Sequence, residues 1–118
     1  IVLIKCGVPG MYLATASEEK LEELSDLLAG GVKEWANLRV FEKSYKPEKI
    51  LSGTGAGDTS IAAFLHAVTS GYTHEECLQY ATATGACCVA AYDALSGLKS
   101  FEEMKKKIDA GWEKNDVV

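Results

Sequence analysis

The chain opens on an unbroken apolar run, Ile1-Val2-Leu3-Ile4, the pattern of a buried strand. Gly7-Val8-Pro9-Gly10 predicts a turn, because Gly and Pro supply the backbone angles a turn needs. Met11 to Thr15 reads as a second strand, so the two are expected to pair as a hairpin. Ser17 is placed to cap a helix beginning at Glu18, with Leu21, Leu24, Leu27 and Leu28 as one apolar stripe and Gly30-Gly31 as its end. Residues 32–38 favour neither helix nor strand. Arg39-Val40-Phe41 begins a third strand, and Ser44 to Glu48, with Pro47, reads as extended chain running to Ile50-Leu51.

The second half is helical in pattern. Ile61, Phe64, Leu65 and Val68 have the spacing of a core-facing stripe on a helix from about Ala56 to Ser70, which Gly71 ends. Thr73 with Glu76 forms a capping box for a helix over about His74 to Ala91. That helix is rich in small residues (Ala81, Ala83, Gly85, Ala86, Ala90), which allow another backbone or a ligand to come close. Ser100 with Glu103 opens a last helix expected over Phe101 to Trp112.

The candidate chemistry lies between the two halves, at Gly53-Thr54-Gly55-Ala56-Gly57-Asp58. A strand end, a glycine-rich turn and a helix start together make an anion site. The first amide groups of a helix lack intrahelical acceptors, and the helix dipole adds partial positive charge. Gly55, Ala56 and Gly57 are placed to give N–H groups to a transferring phosphoryl group. Asp58 has a bland reading, since a carboxylate at a helix start is stabilised by ~0.3–1 kcal/mol with no catalytic role. Beside a phosphate, however, a carboxylate repels its neighbour unless it accepts a proton from an attacking hydroxyl. A Walker A loop is excluded because no Lys follows the last Gly, and a dinucleotide fingerprint is excluded because Asp58 stands where its third Gly belongs.

Charge and composition narrow the classes further. The net charge is −5 over 118 residues, with no basic stripe, which disfavours nucleic-acid binding. Lys105-Lys106-Lys107 sits among Glu102, Glu103 and Asp109, as on a solvated helix face. No apolar run has the length of a membrane span, and no signal peptide is seen. Cys6, Cys77, Cys87 and Cys88 lack metal-site spacing and read as small packing residues in a reducing cytoplasm. His66 and His74 are expected to be structural. The start on a strand, without an initiating Met, points to a piece of a longer protein.

Thr54-Gly55-Ala56-Gly57-Asp58-Thr59, followed by Ile61-Ala62-Ala63-Phe64, resembles the C-terminal signature of the PfkB (ribokinase-like) carbohydrate kinases. Ile1 to Gly10 resembles the strand and turn that run under ATP in that family, and Ala81 to Ala91 its small-residue helix beside the adenine. The resemblance implies an α/β fold, namely the C-terminal part of a three-layer α/β/α ribokinase-like architecture. Residues 1–118 would then form one domain fragment, the nucleotide-binding half of a sugar kinase. It implies Asp58 as general base toward a sugar hydroxyl, and Gly55, Ala56 and Gly57 as the anion hole. Lys5, Cys6, Gly7, Val8, Pro9 and Gly10 would line the nucleotide site. Thr82 stands where the family often has an Asn near the adenine. Ser52 and Thr54 stand where many members bind a monovalent cation, Ser52 replacing the usual Asp.

ATP with Mg²⁺ and a small-molecule sugar are the implied ligands, and cytoplasmic the implied location. The family's N-terminal portion, which carries most sugar-binding residues, is the implied partner. Without it the fragment is expected to be inactive and to expose a sheet edge and an apolar face. The glycine-rich turn handles phosphate rather than acceptor. A nucleoside or vitamin-like alcohol as acceptor, a non-catalytic nucleotide-binding module, and a homodimer therefore all stay open.

Overall fold

The computed structural model describes residues 1–6, 9–46, 56–89 and 100–114. Three antiparallel strands form one sheet in the order β1 (Val2–Lys5), β2 (Gly10–Ala14) and β3 (Arg39–Lys43). The expected hairpin is present, with Leu3 opposite Leu13 and Ile4 opposite Tyr12. Its mouth is closed by the Cys6 N–H donating to the Gly10 carbonyl at 2.8 Å. β3 pairs along the other side of β2, Val40 opposite Leu13 and Phe41 opposite Tyr12.

Alternation along these strands sends side chains to two different environments. Met11 and Leu13 are buried under helices, with Leu3 and Val40 partly buried against the same core. On the other face Val2, Ile4 and Phe41 are exposed, Val2 by 55%. Among the described residues helices cover one face only, and β1 is an edge of the sheet. The exposed edge and apolar face expected from the sequence are both present.

Among the described residues, α1 (Glu18–Leu21) and α2 (Val32–Trp35) lie between β2 and β3, and α3 (Ala56–Thr69), α4 (His74–Val89) and α5 (Phe101–Asp109) follow β3. α3 packs along α4, and their buried face contributes Phe64, Ala67, Val68, Cys77, Leu78 and Ala81 to the main core. Small residues on both helices let the backbones approach closely. Trp35, the largest wholly buried side chain, fills the space between this pair and the sheet. Its ring meets Phe64 edge-on, with centroids 5.8 Å apart. α2 thus resolves the ambiguity of residues 32–38.

Four sequence expectations change. The Glu18 helix is one turn long and passes into a 3₁₀ turn at Glu22–Leu24 rather than running to Gly30. Ser17 makes no side-chain cap bond there. Like charges at Glu18/Glu22 and Glu19/Glu23 oppose a longer helix, and Leu27 is left exposed while Leu21 and Leu28 are buried. On α3 the buried stripe is Ser60, Ala63, Phe64, Ala67 and Val68, so Ile61 and Leu65 face outward. Close packing on α4 selects the small-residue side of the helix over its bulkier one. α5 ends at Asp109, three residues before Trp112. α4 is described only to Val89, and Ala90 and Ala91 lie outside the described residues.

The Thr73 capping box forms, and Ser100 caps α5. The Glu76 N–H donates to Thr73 Oγ1 at 3.2 Å while Glu76 Oε1 accepts from the Thr73 N–H at 3.1 Å. The Glu103 N–H donates to Ser100 Oγ at 3.2 Å. α3 ends as predicted at Gly71, whose N–H bonds the Val68 carbonyl while that of Tyr72 bonds Ala67, the paired closure of a Schellman motif.

Candidate functional site

Strand alternation puts Leu3 and Lys5 on the helix side of β1. Lys5 is the last residue of that strand, so its side chain leaves the sheet at the open end, where α3 begins. There it lies over Gly57, in the first turn of α3. A Cβ added to Gly57 would stand 2.6 Å from Lys5 Nζ. A side chain there would push the flexible end of Lys5 aside.

Asp58 follows at once, exposed and in the same helical turn. A primary ammonium, a carboxylate and the leading amides of a long helix thus meet at one end of the fold. The amides and the ammonium attract an anion, and the exposed carboxylate can accept a proton from a neutral hydroxyl brought beside it.

The other expected site residues divide into two groups. Lys5, Cys6 and Pro9 lie at the β1–β2 end with Gly10, the first residue of β2. Gly10 is buried, with φ of 138° and the β3 backbone against it, and the Ser44 N–H donates to the Pro9 carbonyl at 3.3 Å. Gly7, Val8, Ser52, Gly53, Thr54 and Gly55 lie outside the described residues, as does the Ile50-Leu51 strand end.

Thr82 is buried in α4. Its hydroxyl donates to the carbonyls of Leu78 at 3.0 Å and Gln79 at 3.1 Å, the arrangement of a packing residue whose donor is spent within its own helix. Among the described residues no cluster of three or more His, Cys, Asp or Glu is arranged to hold a metal ion. No described helix is long and apolar enough to cross a membrane.

The thiols follow the packing reading in part. Cys77, Cys87 and Cys88 are buried while Cys6 is exposed. Burial, with Glu76 and Glu34 nearby, pushes the Cys77 thiol up to about 12.

One polar pair was not legible in the sequence. Glu34 Oε1 accepts from the His74 backbone N–H at 3.0 Å and lies 2.7 Å from His74 Nδ1, tying α2 to the start of α4. The partners are 40 residues apart, and no local spacing signals such a pair.

Residues 1–100 match the family model described as pfkB family carbohydrate kinase. The 5-dehydro-2-deoxygluconokinase of Bacillus subtilis (strain 168) is 27% identical over 110 residues, covering 93% of this chain and 28% of that protein. The structure of Arabidopsis thaliana ribokinase complexed with ribose and ATP superposes with a TM-score of 0.65 at 26% identity, covering 89% of this chain and 28% of that one. The nucleoside kinase of Methanocaldococcus jannaschii, an archaeal member of the ribokinase family, shares the fold with a TM-score of 0.69 at 21% identity, over 92% of this chain and 29% of that one. The chain thus spans less than a third of the length of each of these relatives.

Proposed function

The chain belongs to the pfkB family of carbohydrate kinases, and on that premise we propose that it is the nucleotide-binding, C-terminal portion of an ATP-dependent sugar kinase. The observation that carries the reading is Lys5 Nζ set over Gly57, one residue before an exposed Asp58. This pairing suits phosphoryl transfer better than plain anion binding. A site built only to hold phosphate gains nothing from a carboxylate in its first turn.

In the proposed reaction Asp58 accepts the proton of a sugar hydroxyl. The freed oxygen attacks the γ-phosphorus of ATP in line. The bond from that phosphorus to the β–γ bridging oxygen breaks, and its electron pair leaves with ADP. Charge on the transferring group is met by the N–H groups of Gly55, Ala56 and Gly57 and by the Lys5 ammonium. Mg²⁺ bound with the nucleotide would supply neutralisation of its phosphate charge. Cys6, Gly7, Val8, Pro9 and Gly10 line the nucleotide side, and Thr82 contributes to the wall formed by α4. A monovalent cation at Ser52 and Thr54 belongs to the same proposal.

The acceptor binds against the remainder of the longer protein, which covers the exposed face of Val2, Ile4 and Phe41. Cytoplasmic location follows from the same reading. The names ribokinase and 5-dehydro-2-deoxygluconokinase put sugar-derived acceptors first in a test panel.

The test is ADP release by the full-length protein with ATP, Mg²⁺ and that panel, with the product identified by mass. Acceptor-dependent ADP release with a phosphorylated sugar is expected. Nucleotide binding with no transfer to any acceptor would instead make this a binding module, and phosphorylation of nucleosides alone would replace the sugar.

A further inference from the structure

No Asp, Glu, Lys or Arg stands between Asp58, in the first turn of α3, and Glu75, in the first turn of α4. One side of α3 packs on α4, yet Ile61 and Leu65 on the outward side stay exposed, Leu65 by 57%. The outward face of α5 is different, with Glu102, Glu103, Lys105 and Lys106 all exposed. A helix at a protein surface carries a charged face, whereas one that is apolar on every side belongs in an interior.

The contact of Lys5 with Gly57 fixes which way the outward side of α3 looks. Side chains four positions apart are neighbours along a helix, so Gly57, Ile61 and Leu65 form one row that starts under the Lys5 ammonium. Lys5 belongs to β1, an edge strand of the sheet. The row therefore runs down the β1 flank of the fold, on the helix side of the sheet. Among the described residues no strand pairs with the outer edge of β1, which leaves backbone groups along it without a sheet partner. An open strand edge and an uncharged helix row thus flank the same side of the molecule.

We infer that this flank is an interface inside the complete protein: a β-strand from its remainder pairs with β1 and extends the sheet, and the apolar side chains on the helix side of that strand pack against Ile61 and Leu65. The inference rests on the reading of this chain as one portion of a longer kinase, and it concerns a surface of α3 which that reading leaves unassigned. Length and geometry together select the occupant. The relatives align over about nine-tenths of this chain, while most of their own length lies outside the aligned part. A segment of the same molecule meets the flank at a high effective concentration, which a second copy has to match from solution. A strand satisfies both parts of the surface at once, the backbone edge and the apolar row, whereas a helix leaves the edge unpaired. Asp58 stands beside Gly57 at the head of the row, so the docked strand also brings the remainder to the border of the proposed base.

The experiment uses the full-length protein and two leucines that this structure leaves almost equally exposed, Leu65 at 57% and Leu27 at 55%. Leu65→Cys and Leu27→Cys are each treated with N-ethylmaleimide without denaturant, and labelling at the new thiol is read by peptide mass. The thiol of Leu65→Cys is expected to react roughly tenfold or more slowly than that of Leu27→Cys. In a companion pair, Leu65→Ala is expected to lower the Tm by about 5 °C or more, and Leu27→Ala to leave it within about 2 °C. Amide exchange over Val2–Lys5 is expected to be as slow as over β2, which is paired on both edges.

Labelling rates within about threefold of each other overturn the inference, as do equal Tm losses in the alanine pair. Alternating fast amides along β1, the mark of an unpaired edge, overturn it too. Protection of Leu65→Cys that fades on dilution also overturns it, since a second copy is then the occupant. A native protein no longer than these 118 residues overturns the reading of the chain as a portion, and that outcome is read from the intact mass before any variant is made.

Discussion

Lys5 and Gly57 touch across the end of the fold: the ammonium at the close of β1 occupies the space a side chain on the first turn of α3 would fill. This ties the sheet to the helix at the start of α3. Gly57→Ala tests the arrangement. The far end of a flexible lysine can move aside, and Ala favours a helix over Gly by about 0.5–1 kcal/mol, so stability should hold or rise slightly. Turnover should drop, because Lys5 no longer covers the site. Unchanged turnover with a displaced lysine would remove Lys5 from the mechanism.

Asp58→Asn separates binding from chemistry. The amide keeps the shape of the side chain and cannot take a proton. ATP affinity, read by calorimetry, should change little, and kcat should fall by about 10²–10⁴-fold, the usual contribution of a positioned base. Near-normal kcat would assign Asp58 to capping α3.

Trp35→Ala probes the core. The side chain is fully buried beside Phe64, with the ring of His74 6.3 Å away. Removing it should cost about 3–5 kcal/mol, read as a lower midpoint in chemical denaturation. Trp35→Phe should cost less, since it also removes a buried indole N–H that has no acceptor among the described residues.

Glu34→Ala breaks the bridge between α2 and α4. It strips the acceptor from the His74 N–H, the first amide of α4, and from the imidazole. A loss of about 1–3 kcal/mol is expected, with turnover per folded molecule kept. Denaturation midpoints and kcat measured on one preparation check both halves.

Alkaline pH should unfold the protein earlier than exposed tyrosines and thiols would. Burial, with Glu42 and Asp109 adding to it, pushes Tyr45 up to about 12 from 10.0, and burial pushes Cys77 up to about 12 from 9.0. Burial also raises Tyr80. Between the unfolded and folded values the unfolded chain binds fewer protons, so stability falls as pH rises. The contribution is complete below about 9 and is lost by about 12. Tyr45→Phe should make the decline between 10 and 12 shallower in a pH series of melting curves.

The sequence by itself determined the local elements whose causes are local. The β1–β2 hairpin, the capping box at Thr73, the Ser100 cap, the Gly71 helix end and the start of α3 at Ala56 all rest on residues a few positions apart. It also carried the family, because the Gly-Ala-Gly-Asp element concentrates that chemistry in one short stretch. Tertiary structure decided what depends on which surfaces meet. Periodicity pointed to Ile61, Phe64, Leu65 and Val68 as the buried stripe of α3, and close contact with α4 buried Ala63 and Ala67 in place of Ile61 and Leu65. The Glu34–His74 bridge and the bond from the Trp112 indole N–H to the Lys46 carbonyl join residues 40 and 66 positions apart, where no periodicity reaches. The contact between Lys5 and Gly57 belongs to both. The sequence placed a lysine at a strand end and a glycine at a helix start, and folding brought one over the other.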